Sequence, residues 1–265
     1  MTERLPVQKT YKLFIGGAFL RSESGRTYLA LGANVARASR KDLRDAIRIA
    51  RQAGGGWSGM TAYNRGQVLY RIAEMMEARR AELASLCTGG DEVERAIDRV
   101  VWYAGWADKF AQVVGSSNPV AGPYFNFTVP EPTGVTGILA PAPPLLGLVS
   151  RLAPVIVGGN TAVVIASEAH PLVAIELAEC LATADVPPGV ANVITGLRRE
   201  LAPAIASHMD VVALDLTGAD GDVAELERLG AENVKRIVRG KPDDESPYEI
   251  AAFLELKTVW HPIGM

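Results

Sequence analysis

Cysteine and histidine are scarce in this chain of 265 residues, which carries two cysteines, Cys87 and Cys180, and three histidines, His170, His208 and His261. Two thiols are too few for a disulfide framework or a zinc cluster, and the histidines stand far apart without ligand spacing, so metal chemistry is disfavoured. No apolar run reaches the roughly eighteen residues that a membrane-spanning helix needs. The opening Met1-Thr-Glu-Arg-Leu-Pro6 lacks both the basic and the apolar region of a secretion signal, so the expected location is cytoplasmic. The formal charge is −3, and Lys and Arg alternate with Asp and Glu instead of forming a stripe. Neither nucleic acid nor a membrane is therefore an expected partner. Internal repeats and low-complexity tracts are also missing.

What remains is an ordinary globular composition, 48% hydrophobic and 22% charged, long enough to bury a sizeable core. Lys12-Leu-Phe-Ile-Gly-Gly-Ala-Phe-Leu20 reads as a hairpin, because Gly16-Gly17 supplies the positive φ angles of a tight turn. Ser39 with Asp42 three residues on reads as a capping box opening a helix to about Gln52. Further helices are expected from Tyr63 towards Arg80 and, as one long element, from Asp91 to Val114. Trp102 and Trp106, four apart, mark a buried face of that helix.

From Gly134 short Val/Ile/Ala runs alternate with helical stretches, the grammar of βαβ units. Strands are expected at Val135–Leu139, Ala162–Ile165, Ala191–Ile194 and Val211–Leu214, and helices at Leu145–Val157, Leu172–Ala184 and Glu200–Ser207. Such continuously apolar strands suit a parallel sheet covered on both faces, so the fold class is α/β, a Rossmann-like sheet with flanking helices after an N-terminal helical segment. Gly158-Gly159 reads as a helix C-terminus rather than a phosphate cradle. His170, before Pro171, reads as an exposed helix start. Two segments stand outside the sheet, Tyr124-Phe-Asn-Phe-Thr-Val129 and Ala251 to Trp260, which can pair with each other or with another subunit. Arg239 to Pro247 has the composition of a linker.

Several blocks, in order, are similar to those of the aldehyde dehydrogenases: Tyr11-Lys-Leu-Phe-Ile-Gly-Gly17, Trp102-Tyr-Ala-Gly-Trp-Ala-Asp108, Pro130-Glu-Pro-Thr-Gly-Val-Thr-Gly137, Pro154-Val-Ile-Val-Gly-Gly-Asn-Thr161, Val186 to Gly196, and Leu256-Lys-Thr-Val-Trp260. The resemblance implies a nucleotide-binding-type domain over 1–121 and 134–240, with oligomerisation strands in 122–133 and 248–265. In that family a cysteine thiolate attacks an aldehyde, an Asn side chain and a backbone N–H hold the oxyanion, hydride passes to the nicotinamide, and a Glu activates water. The Gly-Gln-x-Cys-type segment and its catalytic domain find no counterpart here, since the chain passes from Gly240 almost directly to the closing strand. Ala140-Pro-Ala-Pro-Pro-Leu145 stands in place of the block that brings the Asn, and Lys235-Arg-Ile-Val-Arg-Gly240 in place of the one that brings the Glu. Cys180, in a periodic helix, and Cys87 read as small buried hydrophobes, not nucleophiles.

For the cofactor, NAD or NADP, the resemblance points to Ser167 and Glu168 after the second strand, Glu168 matching a ribose-binding acid whose companion Lys is missing. It also points to Thr217 and Gly218 in Leu216-Thr-Gly-Ala-Asp-Gly-Asp222, where backbone N–H groups would hold the diphosphate. Asp220 and Asp222 bring two negative charges to that place and oppose retention of the cofactor. The expected function is a non-catalytic subunit that assembles with itself or with a full-length catalytic relative through residues 124–129 and 251–260. The alternatives are an active oxidoreductase with Cys180 or Cys87 as relocated nucleophile and a nucleotide-binding sensor.

Overall fold

The computed structural model describes residues 5, 7, 9–221, 223–242 and 244–264. Met1 to Arg4, Pro6 and Asp222, on which expectations above fall, lie outside them. The N-terminal part contributes β1 (Leu13–Ile15), β2 (Ala18–Leu20), β3 (Thr27–Ala30) and β4 (Ala33–Ala36), followed by the helices α1 (Arg40–Ser58), α2 (Ala62–Ala78), α3 (Arg80–Ala84), α4 (Glu92–Trp106) and α5 (Phe110–Val114). Then come β5 (Ser116–Asn118), β6 (Tyr124–Pro132), β7 (Val135–Leu139), α6 (Leu146–Val157), β8 (Thr161–Ile165), α7 (Pro171–Thr183), β9 (Ala191–Ile194), α8 (Arg198–Ser207) and β10 (Val211–Asp215). The chain closes with α9 (Val223–Ala231), β11 (Arg236–Val238), α10 (Pro247–Ala251) and β12 (Leu254–Pro262).

The central sheet has seven strands in the order β11-β10-β7-β8-β9-β1-β2, its first five mutually parallel. Gly16 and Gly17 take φ +61° and +79° at the β1–β2 turn, as that dipeptide foretells. The hairpin then docks antiparallel on β9, with Phe14 opposite Val193, and Asn192 Oδ1 accepts from the Gly16 N–H. Alternation along each strand divides the core. Ala162 and Val164 of β8 face α2, α4, α6 and α7, whereas Val163 and Ile165 face α1 and α8. Gly137 of β7 leaves room for Ile205 of α8, which a Cβ there would meet at 2.7 Å. Gly158 and Gly159 end α6, the latter at φ +94°. Among the described residues no helix is long and apolar enough to cross a membrane.

Several expectations need correction. The long helix over Asp91–Val114 is two, broken at Ala107–Lys109, where the chain turns so that Phe110 enters the core. Trp102 and Trp106 are half-buried, with ring centroids 5.6 Å apart, while Tyr103 between them is the fully buried ring. The Ser39–Asp42 capping box is present, but α1 runs on through Gly54-Gly55-Gly56 to Ser58. His170 is half-buried, not exposed. The stretch after Arg239 is anchored and not a free linker: Gly240 N–H donates to Thr217 Oγ1, Arg99 donates to Asp244 O and Glu245, and Ser246 caps α10. Ala251 therefore ends a helix, and the last strand begins at Leu254. That strand pairs antiparallel with β6 along its length, in a separate three-stranded sheet of order β12-β6-β5.

Candidate functional site

A cavity of about 910 Å³ opens at the C-terminal edge of the parallel strands. Leu139, ending β7, lies at its base; Ala202 and Pro203 of α8 and Leu226 of α9 form apolar walls. Ser167 and Glu168, in the loop after β8, line another side, so two residues expected from the sequence meet there. Ser167 Oγ accepts from His170 N–H at 3.2 Å, and Glu168 Oε2 accepts from Arg198 N–H at 3.0 Å, placing an acid on the first residue of α8. The β3–β4 hairpin closes the cavity with Tyr28, Leu29 and Ala30. Burial and then the neighbouring Glu168 push the Tyr28 phenol above its ordinary range, and its Oη is shut from solvent with no hydrogen-bond partner among the described residues.

Thr217 and Gly218 stand beside this cavity in the β10–α9 loop, but their donors are committed. Thr217 N–H goes to Asp215 Oδ1 at 2.9 Å and Gly218 N–H to Leu139 O at 3.2 Å. The guanidinium of Arg198 spans the gap between the two strand ends, donating to Ala140 O, beyond β7, and to Gly218 O, beyond β10. Its Nη1 also meets Asp220 Oδ2 at 2.8 Å. Neither Arg198 nor Tyr28 figured among the expected residues. The only sequence signal for Arg198 is its position just past the turn that leaves β9.

Both thiols are remote from reactivity. Burial, reinforced by Glu92, pushes Cys87 up to about 12. Burial also lifts Cys180 to about 12, against the opposing charge of Arg79. The N-terminus of α6 is occupied by the chain itself, since Glu92 Oε1 accepts from Leu145 N–H at 2.7 Å and Leu146 N–H at 3.2 Å. Among the described residues no group of His, Cys, Asp and Glu could hold a metal ion.

The model of the "Aldehyde dehydrogenase family" matches residues 30–239. The chain belongs to the aldehyde dehydrogenase family. Retinal dehydrogenase 2 of Mus musculus is 34% identical, the match covering 89% of this chain and 49% of that one. The "NAD+ complex structure of aldehyde dehydrogenase from bacillus cereus" superposes with a TM-score of 0.81 at 28% identity, covering 86% of this chain and 50% of that one. The crystal structure of HpcC from Thermus thermophilus gives 0.82 at 32% identity, covering 88% and 48%. The chain thus spans about half the length of the curated relatives it matches.

The α/β sheet with its flanking helices is the NAD-binding fold of aldehyde dehydrogenases, and a dinucleotide can be tested against its residues. The cavity wall carries an acid and a hydroxyl, Glu168 and Ser167, suited to sugar hydroxyls, and apolar surfaces suited to a flat ring. The diphosphate fits poorly: the Thr217 and Gly218 N–H groups are spent, Arg198 bridges the crevice and Asp220 adds a negative charge. The cavity is thus open beside Ser167 and Glu168 and bridged by Arg198 beside Thr217 and Gly218.

Proposed function

We propose that the chain is a non-catalytic aldehyde dehydrogenase-like subunit that assembles, with itself or with a full-length catalytic relative, through the arm formed by β6 and β12. The observation that carries this reading is the arm's outer edge. Among the described residues β12 has β6 on one side and no strand on the other, and every residue after Leu254 in it is exposed, with Leu256 at 52% and Trp260 at 58%. An open edge of nine residues bearing apolar side chains is a template for another strand and a hazard if left bare.

Three features support the non-catalytic part. Both thiols lie far above the range in which a thiolate forms at neutral pH. Glu92 sets a carboxylate on the α6 N-terminal N–H groups, where a developing oxyanion would meet like charge. Arg151 of α6 is buried and bound to Asp215 and Glu249, so both carboxylates are engaged in ion pairs and are poorly placed to take a proton from water.

The decisive experiment is pull-down of the tagged full chain from its own cells with identification of captured chains, alongside light scattering and an aldehyde oxidation assay with NAD and NADP. A homo-oligomer or a complex with a full-length aldehyde dehydrogenase is expected, dissociated by Leu256→Lys/Val259→Lys, with no turnover by the isolated chain. A monomer that captures no such relative would sink the assembly reading. Turnover abolished by Cys87→Ser or Cys180→Ser would sink the non-catalytic one.

A further inference from the structure

The winding of the sheet reverses beside β7: β8 and β9 follow on one side, while β10 and β11 lie on the other. Open α/β sheets bind their ligands at the C-terminal ends of the strands where that reversal occurs, because the connecting helices leave in opposite directions and open a crevice. In this molecule the crevice is bridged. The Arg198 guanidinium donates to Ala140 O on the β7 side and to Gly218 O on the β10 side, and its side chain is 13% exposed. An anion entering there must break both contacts, and Asp220, paired with Arg198 at 2.8 Å, would be left facing it. At the start of the loop the backbone donors of Thr217, Gly218 and Ala219 are already paired within the chain, so they do not reach an anion there. Gly218 packs closely on Ala140, where a Cβ would come within 2.5 Å of the carbonyl carbon, so the loop lies directly against the end of β7.

Beside the bridge the cavity stays open. Pro203 and Leu226 offer apolar surface, and Ser167 and Glu168 offer a hydroxyl and a carboxylate. That pairing recognises an uncharged heteroaromatic base joined to a sugar with adjacent hydroxyls, the carboxylate accepting from the sugar hydroxyls while the base rests on the apolar walls. We propose that this cleft binds a nucleoside in preference to a dinucleotide, and that Arg198 is the residue that sets the preference. The claim goes beyond the assembly reading and stands or falls separately from it.

Isothermal titration of the full chain with adenosine, guanosine, uridine, ADP-ribose and NAD tests it. At least one nucleoside binds at least tenfold more tightly than ADP-ribose or NAD, and Glu168→Ala weakens that nucleoside at least tenfold. Arg198→Ala, alone and combined with Asp220→Asn, shifts the ratio at least tenfold towards ADP-ribose and NAD. Absence of heat with all three nucleosides, dinucleotide affinity equal to or above the nucleosides' in the unaltered chain, or an unchanged ratio in folded Arg198 variants overturns the proposal. Should Arg198→Ala fail to fold, Arg198→Gln replaces it. The ligand ranking of the unaltered chain, with the effect of Glu168→Ala, still decides.

Discussion

Arg151 donates through Nε to Asp215 Oδ2 at 2.6 Å, and neither side chain has any exposure. Glu249 of α10 takes Nη1 of the same guanidinium, so one cation ties α6 to the end of β10 and draws the segment after β11 onto both. Arg151→Met would leave Asp215 buried without a countercharge, an effect of about 3–5 kcal/mol. Urea unfolding of Arg151→Met, Asp215→Leu and the double variant should show the double losing less than the sum of the singles. Additive losses would mean that the pair is not coupled.

Gly218 is fixed by sterics and not by backbone conformation. A Cβ there would lie 2.5 Å from the Ala140 carbonyl carbon, a contact that only movement of the loop relieves. Gly218→Ala is expected to lower stability by about 1–3 kcal/mol, the usual range for overpacking. A thermal midpoint within a degree or so of the unaltered chain's would contradict the packing.

The two thiols should be poor nucleophiles in the folded chain. With both pushed up to about 12 from an ordinary 9.0, the thiolate fraction near neutral pH falls on the order of a thousandfold. Iodoacetamide labelling of the native chain should therefore be slower than in denaturant by at least that factor. Fast native labelling of either position would show an activated cysteine.

The arm's exposed side chains contribute to association more than to folding. Leu256→Lys/Val259→Lys should shift light-scattering mass downwards while urea stability changes by no more than about 0.5 kcal/mol per site. Lost stability without a change in mass would assign these side chains to the fold of the chain itself.

Acid sensitivity should centre on Glu176. Burial alone would raise its pKa, but hydrogen bonds from Lys9 at 2.7 Å and Arg79 at 3.1 Å outweigh it and hold the group below its ordinary 4.5. The unfolded chain thus takes up the proton first, so the stabilisation is complete above about 4.5 and is lost as the pH falls through the folded value. Urea midpoints between about pH 6 and pH 3.5 should show the gap between the unaltered chain and Glu176→Gln closing on acidification. A constant gap would place the acid-labile contact elsewhere.

Short-range chemistry was enough to read much of the framework from residues alone. Gly16-Gly17 turns the hairpin, Ser39 and Asp42 cap α1, and continuous apolar runs announce β7, β8 and β9, because each signal acts within a few residues of itself. The family resemblance points to Ser167 and Glu168, and the fold brings both to one cavity. The β3–β4 hairpin is hard to read from the residues because its turn puts Leu31 at positive φ ahead of Gly32, and its strands are short and half-exposed. Thr217 and Gly218 matched a phosphate-binding pattern by residue type, yet type does not say whether an N–H is free. That depended on Asp215 and Leu139, and on an arginine 58 residues from the carbonyl it holds. The sequence alone thus determined the elements and the family resemblance, through contacts a helical turn or a strand repeat apart. The tertiary structure decided which donors, charges and edges remain available, because that depends on groups distant in the chain and adjacent only once the sheet has formed.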